Sequence, residues 1–110
     1  MNAVKRLLWW ILGGSAGGIN RGRIVEELFQ RPHNANELSK ILDLDYKTVR
    51  HHLEILEKNR LITSTGSGYG KLYFPSDMLE DNRECFIEIW GQIGKKQIRK
   101  EEYLRVKKHE

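Results

Sequence analysis

The sequence predicts a mainly α-helical fold carrying one small β-hairpin. Three observations predict it. Residues 34–61, NANELSKILDLDYKTVRHHLEILEKNRL, have the pattern of two short helices around a tight turn. Residues 61–75 offer two strand-like runs around the turn sequence TGSGYG. Apolar helical stretches flank this unit on both sides.

The first stretch places Val4, Leu7, Leu8 and Ile11 on one helical face, and Trp9 and Trp10 widen it. A helix apolar nearly all round must be covered by something. The expectation is an interface between two copies of the chain; the alternatives are a core helix of the same chain and attachment to a membrane surface. Residues 7–12, LLWWIL, are too few to span a bilayer. Gly13 to Gly18, GGSAGG, ends the helix and reads as a flexible joint. It lacks the Lys and Ser/Thr of a P-loop, and no strand precedes it.

Asn20 is the expected cap of the next helix, which runs to about Gln30, with Ile19 packed on Ile24. Ile24, Val25 and Leu28 face the core, and Phe29 is placed beside them. Pro32 stops the helix, and His33 and Asn34 form a short strand edge beside the hairpin. Asn34 caps the following helix, and Glu37 completes a capping box. Leu38, Ile41 and Leu42 give that helix its apolar face. The turn is Asp43-Leu44. Asp45 caps the second helix of the pair, where Val49, Leu53 and Leu56 form one buried stripe. Its other face carries Tyr46, Lys47, Arg50, His51 and Glu54. A stripe that anchors the helix and a face of long donors are what a major-groove reader needs.

Residues 61–64 and 71–74 are the strands. Ser76 caps a last helix on which Met78, Leu79, Cys85, Phe86, Ile89, Trp90 and Ile93 recur at helical spacing, with an irregularity near Asp81-Asn82 and a weak end at Gly91 and Gly94. Helix, turn, helix and glycine-tipped hairpin together describe a winged helix-turn-helix with additional N- and C-terminal helices. The expected divisions are 1–18 (apolar helix and joint), 19–75 (winged helix-turn-helix), 76–94 (dimerisation helix) and 95–110 (basic tail).

Residues 21–74, and above all 34–62 with the hairpin behind them, resemble the DNA-binding domain of ArsR-like transcriptional regulators, especially the small archaeal ones. Two positions depart from the family pattern. Asp43 stands where a glycine is usual in the inter-helix turn, and Arg60 follows Asn59 where a glycine precedes the first wing strand. Asp tolerates the left-handed conformation, and Asn59 is the expected left-handed cap. The resemblance implies a cytoplasmic homodimer bound to double-stranded DNA, with helix 45–59 in the major groove and wing 65–71 on the backbone or minor groove. Tyr46, Lys47, Thr48, Arg50, His51, Tyr69 and Lys71 are the candidate DNA contacts, and Arg50 is the candidate reader of guanine. His52 faces the domain side. Leu7, Leu8, Trp9, Trp10, Ile11, Phe86, Ile89, Trp90 and Ile93 are the candidate dimer contacts.

Composition adds bounds. One hundred and ten residues suit one domain, and the net charge is +4 with a pI near 9.3. The tail from Lys95 carries seven Lys/Arg and three Glu; the rest has 12 basic and 12 acidic residues, so its net charge is zero. The DNA-facing charge must therefore come from local arrangement. The tail is partly periodic (Ile98, Leu104, Val106) and reads as a continuation of the helix or a mobile segment, either a solvated tail or a DNA-grasping arm. The lone Cys85 excludes an internal disulfide and sits among apolar neighbours. ArsR-like metal sensors need paired cysteines on the first helix of the pair or near the amino terminus, or Asp/His/Glu clusters on the last helix. Asp81, Glu84 and Glu88 lack a histidine partner, so no metal site and no cofactor are expected. No nucleophile–base pair suggests an enzyme. The rival reading is a winged-helix protein-interaction module.

Overall fold

Capping chemistry sets most helix starts. The computed structural model describes residues 2–14 and 16–108, without the side chains at 97 and 98. The expected periodicity at Ile98, Ser15 in the glycine stretch and the last two tail residues lie outside the described residues. The elements are α1 (Ala3–Gly13), α2 (Gly18–Gln30), α3 (Ala35–Leu42), α4 (Tyr46–Lys58), β1 (Ile62–Thr65), β2 (Leu72–Pro75), α5 (Asp77–Asp81) and α6 (Arg83–Lys108).

The box at α3 forms in both directions: Glu37 N–H donates to Asn34 Oδ1 at 2.8 Å, and Asn34 N–H donates to Glu37 Oε1 at 3.1 Å. Asp43 takes the left-handed conformation, φ 53° and ψ 50°. The turn closes where Leu44 N–H donates to Ser39 O and Ser39 Oγ donates to Leu44 O. Asp45 Oδ2 accepts from the N–H groups of Lys47 and Thr48 and starts α4. Ile41 does not join the apolar face; it is largely exposed, while Leu38 and Leu42 are buried.

The hairpin is antiparallel, with Ile62 opposite Pro75 and Thr65 opposite Leu72. Both strands start one residue later than expected. His33 bridges to Tyr73 through two backbone hydrogen bonds, so the expected strand edge is present. At the end of α4 the left-handed residue is Arg60 (φ 60°), not Asn59. Arg60 N–H donates to Glu57 O and Leu61 N–H to Leu56 O, which satisfies the last carbonyls of the helix. Asn59 keeps a right-handed backbone, and its Nδ2 donates to Ile55 O.

The terminal helices differ most from expectation. Leu8, Ile11 and Leu12 of α1 are buried within the chain, packed with α2 and α6, in one core that also takes Leu79, Phe86, Ile89 and Ile93. Burying each such side chain contributes roughly 1.5–3 kcal/mol. Leu8, Ile11, Phe86, Ile89 and Ile93 are therefore core residues of the protomer and not free for an interface between copies. Trp10 is 62% exposed; Leu7, Trp9 and Trp90 are half-buried.

The glycine stretch is a close-packed corner, not a flexible joint. Gly17 caps α2 with φ 83°, and a side chain there would meet the His52 ring at 2.6 Å. Asn20 lies inside α2, where its Oδ1 accepts from Arg23 Nη1. Ile19 is largely exposed. Gly22 lies flat against the Trp90 ring, leaving no space for a methyl group.

Ser76 caps α5, and the expected break falls at Asn82, whose Nδ2 donates to Met78 O. α6 does not weaken at Gly91 or Gly94; it continues to Lys108. Two glycines cost about 1 kcal/mol each, and the good helix formers around them carry the helix through. Arg105, Lys107 and Lys108 in the last turn suit the negative end of its dipole.

Candidate nucleic-acid interface

The outer surface of α4 follows from its buried stripe. Val49, His52, Leu53 and Leu56 turn inward. At about 100° per residue, Lys47, His51, Glu54 and Lys58 then point directly away from the core. All four are exposed. Tyr46, Arg50 and Glu57 lie on the flank toward the hairpin; Thr48, Ile55 and Asn59 lie on the flank toward α1.

On the hairpin flank, the helix and the wing are joined at two levels. Near the base, Glu57 accepts from Ser64 Oγ at 2.6 Å and pairs with Lys71 Nζ at 3.6 Å. Lys71 also lies 5.4 Å from the Tyr73 ring centroid. At the tip, the Tyr69 and Tyr46 rings meet with centroids 6.2 Å apart. Tyr69 is 83% exposed. Arg50 Nη1 donates to Tyr46 Oη at 3.3 Å. That bond, with Tyr73 and Glu54 nearby, raises the Arg50 pKa further above its ordinary value. Asn34, Asn36, Tyr46 and Tyr69 surround an open recess of about 460 Å³ between α3 and the wing.

On the α1 flank lies an open groove of about 630 Å³, lined by Trp10, Gly17, Arg21, Lys47, His51 and His52 among others. Its floor holds a residue absent from the sequence reading. Arg21 is 3% exposed. Its Nε donates to Ile11 O at 2.9 Å, its Nη2 to Ala16 O at 3.2 Å, and its Nη1 lies 3.3 Å from His52 Nδ1. The signal was present: Arg21 precedes Ile24, Val25 and Leu28 at the spacing of their buried stripe. His52 faces the domain side, as expected, at 6% exposure.

The candidate contacts thus separate into groups. Lys47 and His51 project from the helix, and Thr48 borders the groove. Tyr46, Arg50 and Tyr69 form one cluster, and Lys71 is held back against Glu57. Among the described residues, no three His, Cys, Asp or Glu side chains are grouped to hold a metal ion. No helix of the described residues is long and apolar enough to cross a membrane.

Residues 20–64 match the model of the bacterial regulatory protein, arsR family. The match covers the helix pair and the first wing strand, where the capping box, the Asp43 turn and the Asp45 cap lie. Over those residues the chain is similar to the arsR family, and its fold is a winged helix-turn-helix. Two solved structures share the fold. One is Staphylococcus aureus MarR in complex with salicylate and kanamycin: TM-score 0.62, 18% identity, covering 96% of this chain and 79% of that one. The other is a possible transcriptional regulator from Methanosarcina mazei Go1: TM-score 0.53, 15% identity, covering 93% and 88%. Among curated proteins none matches significantly. At the two positions where the family pattern has glycine, Asp43 and Arg60 themselves adopt positive φ.

Proposed function

We propose that this protein is a transcriptional regulator that binds double-stranded DNA sequence-specifically as a homodimer, with α4 in the major groove and the wing on the backbone or minor groove. The observation that carries this reading is the projecting face of α4, with two lysines and a histidine beside an exposed wing tyrosine. Lys47, Thr48 and His51 meet bases and phosphates. Glu54, in the middle of that face, accepts from cytosine N4. Tyr69 lies along the backbone, and Lys71 reaches a phosphate by exchanging it for Glu57.

The copies pair through apolar surface left outside the core. Trp90 and the 60%-exposed Ile87 of α6 border a groove of about 360 Å³ with Phe29 and Phe86. Leu7, Trp9 and Trp10 of α1 add to that surface. Such a dimer sets two α4 helices about 34–36 Å apart, one turn of DNA. A cytoplasmic location accompanies this role.

The test is selection of duplexes from a random pool, followed by anisotropy titration at several salt concentrations, with sedimentation to read the oligomer. A two-fold sequence bound by a dimer supports the reading. Failure to enrich any sequence, or a monomer at binding concentrations, overturns it, and a protein-docking role would then take its place.

A further inference from the structure

We propose that Arg50 is a positioning residue that fixes Tyr46 and, through it, the wing-tip Tyr69, and does not read a base edge. This inference rests on the DNA-binding reading above and assigns a different task to one residue of the same surface.

Arg50 lies one helical turn beyond Tyr46, on the flank of α4 that faces the wing. Its Nη1 donates to the Tyr46 hydroxyl, and its Nε is buried without a hydrogen-bond partner. Bidentate reading of guanine needs two forked N–H groups free to face O6 and N7. Here one donor is held by a phenol, and Nε is sealed from solvent and from any base. The guanidinium would have to leave this seat to read through its Nε–Nη edge, and the Tyr46 bond ties up one of the donors at its other edge.

What the seat does is visible one contact further on. Tyr46 meets Tyr69 at the tip of the wing. That tip is otherwise loosely specified: Gly66 and Gly68 take positive φ, and Gly70 has open space around it. A tip of three glycines and one serine loses much conformational freedom when it orders on DNA. A Tyr46 ring held by Arg50 gives Tyr69 a fixed wall to lean on. The relay runs from Arg50 to Tyr46 to Tyr69 and orders the wing before DNA arrives.

The test is a double-mutant cycle with Arg50→Ala and Tyr46→Phe, read in two ways. Without DNA, hydrogen exchange of the Lys71 amide reports the wing turn, since that N–H donates to Gly68 O. Both single variants should exchange faster by about tenfold, the net worth of roughly one hydrogen bond. With the selected duplex, each single variant should lose affinity by a similar factor, and the double variant should lose no more than either. Base preference under α4 should be unchanged in all three. Arg50→Gln is the second variant should Arg50→Ala not fold, with the same expectation. Unchanged exchange in both single variants overturns the inference. So does loss of preference at one base pair in Arg50→Ala but not Tyr46→Phe, with the two affinity losses multiplying. Failure of wild type to enrich any sequence overturns the DNA-binding reading itself, with the inference that rests on it.

Discussion

Arg21 donates a hydrogen bond to His52 Nδ1 at 3.3 Å, both side chains buried where α4 meets α2. An arginine can only donate, so Nδ1 is the acceptor, and the neutral ring carries its proton on Nε2. Burial first, then the Arg21 and His51 charges, hold His52 below its usual pKa. The unfolded chain therefore takes up this proton before the folded one does. The contribution is complete above the ordinary histidine value of about 6.5 and is lost as pH falls below it through the folded value. His52→Gln keeps an acceptor for Arg21 and cannot titrate. Wild type should lose more thermal stability than this variant between about pH 7.5 and about pH 5. Parallel melting curves would show that His52 is not the responsible group.

Gly22 is fixed by the ring that covers it. Gly22→Ala should destabilise by about 1–3 kcal/mol in urea unfolding, the usual cost of overpacking. Shortening the ring with Trp90→Leu should recover part of that loss when combined with it. A Gly22→Ala protein as stable as wild type would mean that α2 and α6 move apart freely.

Arg60 holds a left-handed backbone that costs a residue with a Cβ roughly 1–2 kcal/mol. Glycine there loses more entropy on folding, which takes back part of the gain. Arg60→Gly should stabilise by about 0.5–1 kcal/mol, because the Arg60 groups that bond here are backbone and remain. A loss of stability in equilibrium unfolding would refute this.

Asn34→Ala removes the side-chain acceptor of the α3 cap and should cost about 1 kcal/mol. The helix would start frayed beside the wing, and hydrogen exchange at Glu37 N–H should report it. Unaltered protection there would count against the cap.

For DNA, Lys47→Ala should weaken binding and lower the slope of log affinity against log salt by about 1, if its ammonium meets one phosphate. A loss of base preference with an unchanged slope would instead place Lys47 on a base edge.

Much of this architecture was legible because it is local. A capping box, an Asp at a turn and an Asp at a helix start act within four residues, and each does what its chemistry implies. The misplacements have physical reasons. Arg60 takes the left-handed position in place of Asn59 because Asn59 stays right-handed, with its side-chain amide bonded back to Ile55 O. The start of α2 moved from Asn20 to Gly17 because close packing against His52 and Leu12 outweighs a side-chain cap. Leu8, Ile11, Phe86, Ile89 and Ile93 were expected between copies and lie inside one. Apolar periodicity reports that a stripe is covered, not by whom. Arg21 is hard to read from sequence because a charged residue on a core stripe looks like an interruption until its buried acceptors are seen.

The packing of α1 on α6 also orders events during synthesis. Leu8, Ile11 and Leu12 leave the ribosome before α6, yet part of their cover comes from α6, where Ile93 lies against Gly13, Lys96 over the Trp9 ring, and Glu88 3.6 Å from Lys5. Until that late segment emerges, an apolar helix with two tryptophans stays partly bare on the nascent chain. The helix pair and wing lie between these two helices in sequence, so they too emerge before that single core is complete.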